Sequence, residues 1–280
     1  MGAGLRRLLL VVAFLGGACC AASAAAYDDF ARGISANLQG DAPLAVTSFS
    51  AVLAAGDLNP TLIPSAYRGR AIAYLRQNQC KPAIADLDAY IRLKTADVQA
   101  LELRGDAHAC AGDLQAADSD LSLAIAAKPD RAAYWNRGRL RWRMKKFAGA
   151  ADDFAQVVTI EPQNGYVVLW LELSRARAGT LDPKVGAHDI DQLESRDWPA
   201  PLIKLFVGEA KQEDMAAAAL RGDSKAVPNQ QCEANFYVAE WWLAHQDAAS
   251  AKPLLEAAAQ NCPKNFVEYN EARFELSQFK

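Results

Sequence analysis

The chain has 280 residues, 51% of them hydrophobic and 22% charged, with a formal net charge of −3. That composition is globular and excludes the disordered and collagen-like classes. A mildly acidic balance also argues against a general nucleic-acid binder, which needs a concentrated positive surface.

Arg6 and Arg7 precede an uncharged stretch, LLLVVAFLGGACCAASAAA, running from Leu8 to Ala26. A basic start, an apolar middle and small residues ahead of Tyr27 make the pattern of a cleaved secretory signal. Residues 1–26 are therefore expected to be removed, with cleavage after Ala26 or after Ala24. The rivals are a retained membrane anchor, whose last third is weakly apolar, and a lipoprotein modified at Cys19. Gly16, Gly17 and Ala18 precede that cysteine without the leucine a lipobox usually wants. Cleavage would leave 28 basic against 33 acidic residues, a net charge of −5. No later apolar run is long enough to cross a membrane, so the mature part is expected to be soluble. Membrane association is expected only if the N-terminus is lipidated or uncleaved.

The dipeptide Arg-Gly then recurs at Arg32-Gly33, Arg68-Gly69, Arg104-Gly105 and Arg137-Gly138, in steps of 36, 36 and 33 residues. A period in the thirties is the mark of a repeat architecture. Laying the chain out by these pairs aligns other positions. Gly105 is followed by Ala117, Leu121, Ala124 and Pro129, and Gly138 by Ala150, Phe154, Val157 and Pro162. Near the C-terminus Ala239, Ala251, Leu255, Ala258 and Pro263 keep the same offsets. Small residues and a closing proline at these places resemble the tetratricopeptide repeat (TPR). The resemblance implies an all-α fold, a right-handed solenoid of antiparallel helix pairs in which small residues stand where two helices cross.

In chain order, repeat one is Tyr27–Pro60, with Gly33, Ala45 and Phe49. Repeat two is Thr61–Thr95, with Gly69, Ala83 and Leu87, and is expected to have a turn two residues longer. Repeats three and four cover 96–129 and 130–163. Residues 164–223 form a degenerate stretch of two irregular pairs. A regular repeat follows at 231–264, and a capping helix at 265–279. One cooperative array is expected from residue 27 to the end, because single repeats cannot bury a face alone.

Repeats two to four carry an aspartate one residue before the Leu or Phe of the second helix: Asp86, Asp120 and Asp153. The last regular repeat has Val238 for the arginine and Leu254 for the aspartate, so the two charges appear together or not at all. Ion pairs Arg68–Asp86, Arg104–Asp120 and Arg137–Asp153 are expected, fixing the register of each helix pair. Repeat one departs, with Arg32 opposite Ser48.

Four cysteines lie beyond the N-terminal segment, Cys80, Cys110, Cys232 and Cys262, and an even number in an exported chain favours disulfides. Within stacked TPR pairs, Cys80 and Cys110 sit at turn ends of neighbouring repeats. Cys232 and Cys262 sit at the base of one hairpin. Cys80–Cys110 and Cys232–Cys262 are preferred over the two other connectivities, and each adds about 3–4 kcal/mol in the chain-entropy model.

A closer resemblance begins at ANFYVAEWWLAHQDAASAKPLLEAA, followed by NFVEYNEARFEL (Ala234–Leu276). With LWLELSRARAG (Leu169–Gly179) and DWPAPLIKLFVGEAKQEDM (Asp197–Met215), these stretches resemble the NlpI family of periplasmic TPR lipoproteins. The resemblance implies a periplasmic adaptor in a Gram-negative bacterium, or an outer-membrane lipoprotein, without chemistry of its own. Its implied partners are proteins, namely peptidoglycan hydrolases and a processing protease, and family members are commonly dimers. The poor lipobox departs from the family pattern.

First helices of stacked pairs line the side that such arrays use for binding. In repeat four this places Trp135, Asn136, Arg139, Trp142 and Arg143 on one stripe. Repeat two offers Tyr67, Arg70 and Tyr74, and repeat three Glu102 and Asp106. Trp, Tyr and Arg are the residues most often found as interface hot spots. Filling of space between repeats is the competing role for Trp135 and Trp142. Only Asn136 matches the positions by which some TPR modules hold a C-terminal carboxylate, so that clamp is not expected. Glu240–Leu243 (EWWL) reads as core plus dimer surface. His108, His188 and His245 stand far apart, and no phosphate loop, nucleotide fingerprint, GxSxG or HExxH occurs. No enzyme activity, cofactor, metal, nucleic acid or small-molecule substrate is expected.

Overall fold

The computed structural model describes residues 24–94 and 97–279. The expected signal segment up to residue 23, with Cys19, lies outside the described residues. The described residues contain helices and no strands, which makes the fold all-α. None of the described helices is long and apolar enough to cross a membrane. The chain divides into two compact units, Met1–Lys128 and Pro129–Lys280.

The first unit holds three helix pairs. These are α1 (24–39) with α2 (Ala42–Ala55), α3 (Ile63–Arg76) with α4 (Cys80–Leu93), and α5 (Val98–Cys110) with α6 (Leu114–Ala127). The second unit opens with α7 (Arg131–Arg143) and α8 (Phe147–Ile160), and then α9 (Gly165–Ala178). An irregular stretch follows, made of α10 (Pro183–Asp191), α11 (Ala200–Val207), a 3₁₀ turn (Gln212–Asp214) and the single turn α12 (Met215–Ala218). The unit closes with the pair α13 (Ala226–Ala244) and α14 (Ala248–Asn261), and then α15 (Val267–Gln278).

Local chemistry explains where these helices start and stop. Asp41, Asp97, Asp113, Asp130 and Asp247 each stand at an N-cap, the side chain accepting from a backbone N–H three residues on. Such caps contribute about 1 kcal/mol each. Five hairpins share one turn. In each, the last turn residue donates its N–H back to the carbonyl five residues earlier, as Asp41 to Ala36, Gln79 to Tyr74, Asp113 to His108, Lys146 to Arg141 and Asp247 to Trp242, at 2.9–3.0 Å. The residue before it takes the left-handed conformation: Gly40 (φ 79°), Asn78 (57°), Gly112 (83°), Lys145 (58°) and Gln246 (61°). That closure is the Schellman type, whose left-handed residue is usually Gly.

The shared turn corrects the reading of repeat two. Its turn, 77–79, has the same length as 111–113 and 144–146, so the position equivalent to Gly105 and Gly138 is Ala71. In every regular pair the small residue meets a bulky one sixteen residues later. Gly33 meets Phe49, Gly105 meets Leu121 and Gly138 meets Phe154; by the same offset Ala71 matches Leu87, and both are fully buried. Gly69 has another purpose. A Cβ there would stand 2.5 Å from Phe49 Cζ, and one on Gly33 would stand 2.9 Å from the same ring. Phe49, itself fully buried, is thus received by glycines of its own pair and of the next.

Each unit has its own core. Phe49, Val52 and Leu58 centre one cluster of the first unit, while Ala71, Ala83, Leu87 and Ala107 form a second. The larger core of the second unit gathers Trp142, Phe154, Trp170, Phe236 and Tyr237. In α9 every residue from Val167 to Ser174 is buried, because α8, α11 and α13 all pack on it. A helix covered on all sides carries no two-faced pattern, which is why this stretch reads as degenerate. Disulfides join Cys80 to Cys110 and Cys232 to Cys262, with Cα–Cα distances of 5.7 and 5.0 Å.

Replacing Gly69 by Ala sets two effects against each other. Helix propensity favours Ala by about 1 kcal/mol, whereas overpacking against a buried ring costs roughly 1–3 kcal/mol. Gly69→Ala is expected to lower stability in urea unfolding, and Phe49→Leu in the same chain is expected to recover part of the loss.

Candidate interaction surface

A row of arginines on the first helices organises the first unit. Arg104 on α5 donates to both carboxylate oxygens of Asp120 at 2.8 and 2.7 Å, and to Asp88 of the preceding pair at 2.7 Å. Arg70 on α3 repeats this arrangement, with Asp86 at 2.7 Å through two bonds and Ser50 of the preceding pair at 3.0 Å. The expected Arg68–Asp86 pair is therefore not formed. The cause is the register described above: the arginine sixteen residues before Asp86 is Arg70, and Arg68 reaches Gln99 instead, at 3.4 Å. In the second unit Arg137 pairs with Asp153 at 2.6 Å, and Arg141 joins the same carboxylate at 3.0 Å. Asp86, Asp120 and Asp153 are buried, which makes these pairs more exacting in geometry than surface ones and the loss of one partner costly. One arginine thus fixes the crossing within a pair, and Arg70 and Arg104 also bind that pair to the one before.

Tyr67 and Tyr74 lie along α3 on either side of Arg70, whose guanidinium stands 5.9 and 5.8 Å from their ring centroids. Both tyrosines are partly exposed. Glu102 and Asp106 follow on α5, Asp106 exposed. His108 is partly buried, its Nε2 standing 3.9 Å from Asp120.

The stripe expected on α7 is differently employed. Trp142 is buried, edge-on to Trp170 with 5.5 Å between ring centroids. Trp135 packs edge-on to Phe154 at 5.3 Å and to Trp170 at 6.2 Å, so both tryptophans fill the core. Arg139 and Arg143 converge on one carboxylate of α15, Glu271, at 3.1 and 2.8 Å. Asn136 remains partly exposed beside them. Of the EWWL stretch, Glu240 is fully buried and paired with Arg177, and the tryptophans are partly buried against the core.

Sequence reasoning misses the carboxylates that meet these arginines. Glu268, Glu271 and Glu275 on α15 are buried, as are Glu172, Glu233 and Glu240. Glu233 accepts from Tyr166 Oη at 2.9 Å and from Trp198 Nε1 at 2.5 Å. Burial pushes its carboxyl up to about 6, and pushes that of Glu172 up to about 7 against the opposing pull of Arg175. Burial also raises Glu240, Glu268 and Glu275 above the ordinary carboxylate range. Among the described residues, no group of three or more His, Cys, Asp or Glu could hold a metal ion.

No protein-family model matches the chain. A stretch of 105 residues is 31% identical to human tetratricopeptide repeat protein 6; it spans 37% of this chain and only 20% of that protein. Among solved structures, a tetratricopeptide repeat protein from Parabacteroides merdae superposes over 89% of this chain and 98% of its own, with a TM-score of 0.59 and 15% identity. The protein MamA superposes over 61% of this chain and 93% of its own, with a TM-score of 0.54 and 20% identity. The C-terminal part of a TPR protein from Cytophaga hutchinsonii covers 88% of this chain and 86% of its own, with a TM-score of 0.53 and 16% identity. The chain has the tetratricopeptide-repeat fold.

The buried carboxylates give the second unit a defined pH dependence. A carboxyl whose folded pKa lies above its unfolded value binds protons on folding, so its contribution is destabilising once it must ionise. For Glu172 that window runs from 4.5 to about 7. Stability in urea is therefore expected to fall as pH rises from 5 to 7, and Glu172→Gln is expected to flatten the slope by up to ~1.4 kcal/mol per pH unit.

Proposed function

We propose that the chain is an exported, non-catalytic TPR scaffold that holds cell-envelope proteins. Its expected clients are peptidoglycan hydrolases, a processing protease, or both. The TPR fold supports a protein-interaction role in general, and the N-terminal charge and hydropathy pattern supports export to the periplasm. The NlpI-like stretches Leu169–Gly179, Asp197–Met215 and Ala234–Leu276 support the choice of clients. Four cysteines that meet in two disulfides fit an oxidising compartment.

The observation that carries the reading is the rung on α3. Tyr67 and Tyr74 stand partly exposed beside Arg70, on a first helix of the stack. Arg70 is already bonded to Asp86 and Ser50, so it acts as a rigid support that leaves the two rings to meet a partner. Rigid aromatic side chains lose little entropy on contact, which suits them to a hot spot. On the second unit Arg139, Arg143 and Trp142 are occupied, which moves the proposed contact face from α7 to α3. The second reading is a generic TPR interaction module of another envelope assembly, in secretion or polysaccharide export.

Affinity capture from an envelope fraction with the full chain tests both. Peptidoglycan hydrolases or a processing protease are expected among the bound proteins, and Tyr67→Ala with Tyr74→Ala is expected to reduce their recovery at least about tenfold while helical content is kept. Recovery of secretion or export components instead would favour the second reading. Recovery that is unchanged by the double substitution would remove the α3 face from the proposal.

A further inference from the structure

The last helix is seated in an unusual way. The buried residues of α15 are Glu268, Glu271, Ala272 and Glu275, three carboxylates and a methyl group. No large apolar side chain of this helix is fully buried; Val267, Tyr269, Phe274 and Leu276 are partly buried against the core, and α14 packs along the helix. By contrast, α13 buries Phe236, Tyr237 and Val238.

The three carboxylates stand at i, i+3 and i+7, one face of a helix. Each meets a different first helix. Glu271 is held by Arg139 and Arg143 of α7, the latter at 3.0 and 2.8 Å through Nε. Glu275 lies 3.8 Å from Arg177 of α9, and Glu268 accepts from Tyr237 Oη of α13 at 2.9 Å. The first helices of the second unit therefore read α15 by its acidic face, as a groove reads a ligand helix. One donor of an arginine that holds Glu271, Arg139 Nε, is buried and has no partner among the described residues. So α15 leaves part of that arginine's hydrogen-bonding capacity unused.

We propose that α15 is a tethered occupant of a groove built for an acidic amphipathic helix, and that a partner helix with carboxylates at i, i+3 and i+7 takes its place. Two considerations favour exchange over permanent packing. A buried ion pair gives about as much as it costs in desolvation, so the arginine contacts add pattern more than net free energy, and the large apolar side chains that share the seat are all partly exposed. Opposite charges also steer a matching helix to the arginines and reject a basic one. Burial keeps Glu268 and Glu275 above their usual pKa, consistent with a seat that is costly for carboxylates. The inference deepens the scaffold reading by naming the chemistry of one client surface.

The test needs no client, so it can fail while the scaffold reading stands. A protease site is placed in the full chain between the exposed Lys264 and Asn265, and the chain is cut after folding. Excess synthetic peptide spanning residues 265–279 is expected to displace the cut helix. The same peptide with Glu271→Lys and Glu275→Lys is expected to compete at least about tenfold more weakly. A cut helix that never exchanges, or a lysine peptide that competes equally, would overturn the proposal. Should cutting unfold the protein, hydrogen exchange on the intact chain decides. Amides of α15 are then expected to exchange through local opening, ahead of those of α13 and α14, and exchange of all three only on global unfolding would overturn it.

Discussion

The structure depends on a contact repeated at a fixed interval of sixteen residues. A small residue on the first helix of a pair lets a bulky side chain of the second come against the backbone, as Gly138 receives Phe154. The residue just before the small one is an arginine in four pairs, and in three of them it grips the aspartate just before the bulky one. The first contact sets how near the helices come, and the second sets their register. Neither alone suffices: close packing without the charge leaves a helix free to slide, and the charge without close packing would leave its aspartate in water. The shared turn keeps the interval at sixteen.

From this unit follow the features that bear on function. Arg70 and Arg104 reach back to Ser50 and Asp88, so the grip that fixes a pair also joins it to its neighbour. Within each unit the polar residues of the first helices are thus already braced. On α3 the brace leaves Tyr67 and Tyr74 partly open, whereas on α7 the equivalent region is closed by the acidic face of α15. One architecture so yields an available surface in one unit and an occupied one in the other.

Much of this is legible in the sequence, for stated reasons. Repeats three and four are readable because Arg104 and Arg137 adjoin a glycine at the crossing itself. Repeat two misleads because its Arg68-Gly69 copies the dipeptide two residues away from the crossing, where Gly69 makes room for Phe49 of the previous pair and Ala71 takes the crossing. The misplaced glycine carries the arginine assignment with it, so Arg68 is named where Arg70 acts. The tryptophans of α7 look like hot spots because an aromatic stripe has the same spacing whether it faces solvent or Trp170. Glu268, Glu271 and Glu275 draw no notice in the sequence, since nothing local reveals that Arg139, Arg143 and Arg177 reach across more than ninety residues to meet Glu271 and Glu275. Pairings inside a hairpin are written at short range; pairings between distant helices need the fold.

The most direct measurement is a double-mutant cycle on Arg104 and Asp120, using Arg104→Met and Asp120→Asn singly and together, read by urea unfolding of the full chain. A coupling of about 1–3 kcal/mol is predicted, because each single change leaves a nearly buried charge without its bidentate partner. A coupling near zero, with the two single effects simply adding, would contradict the claim that this grip sets helix register.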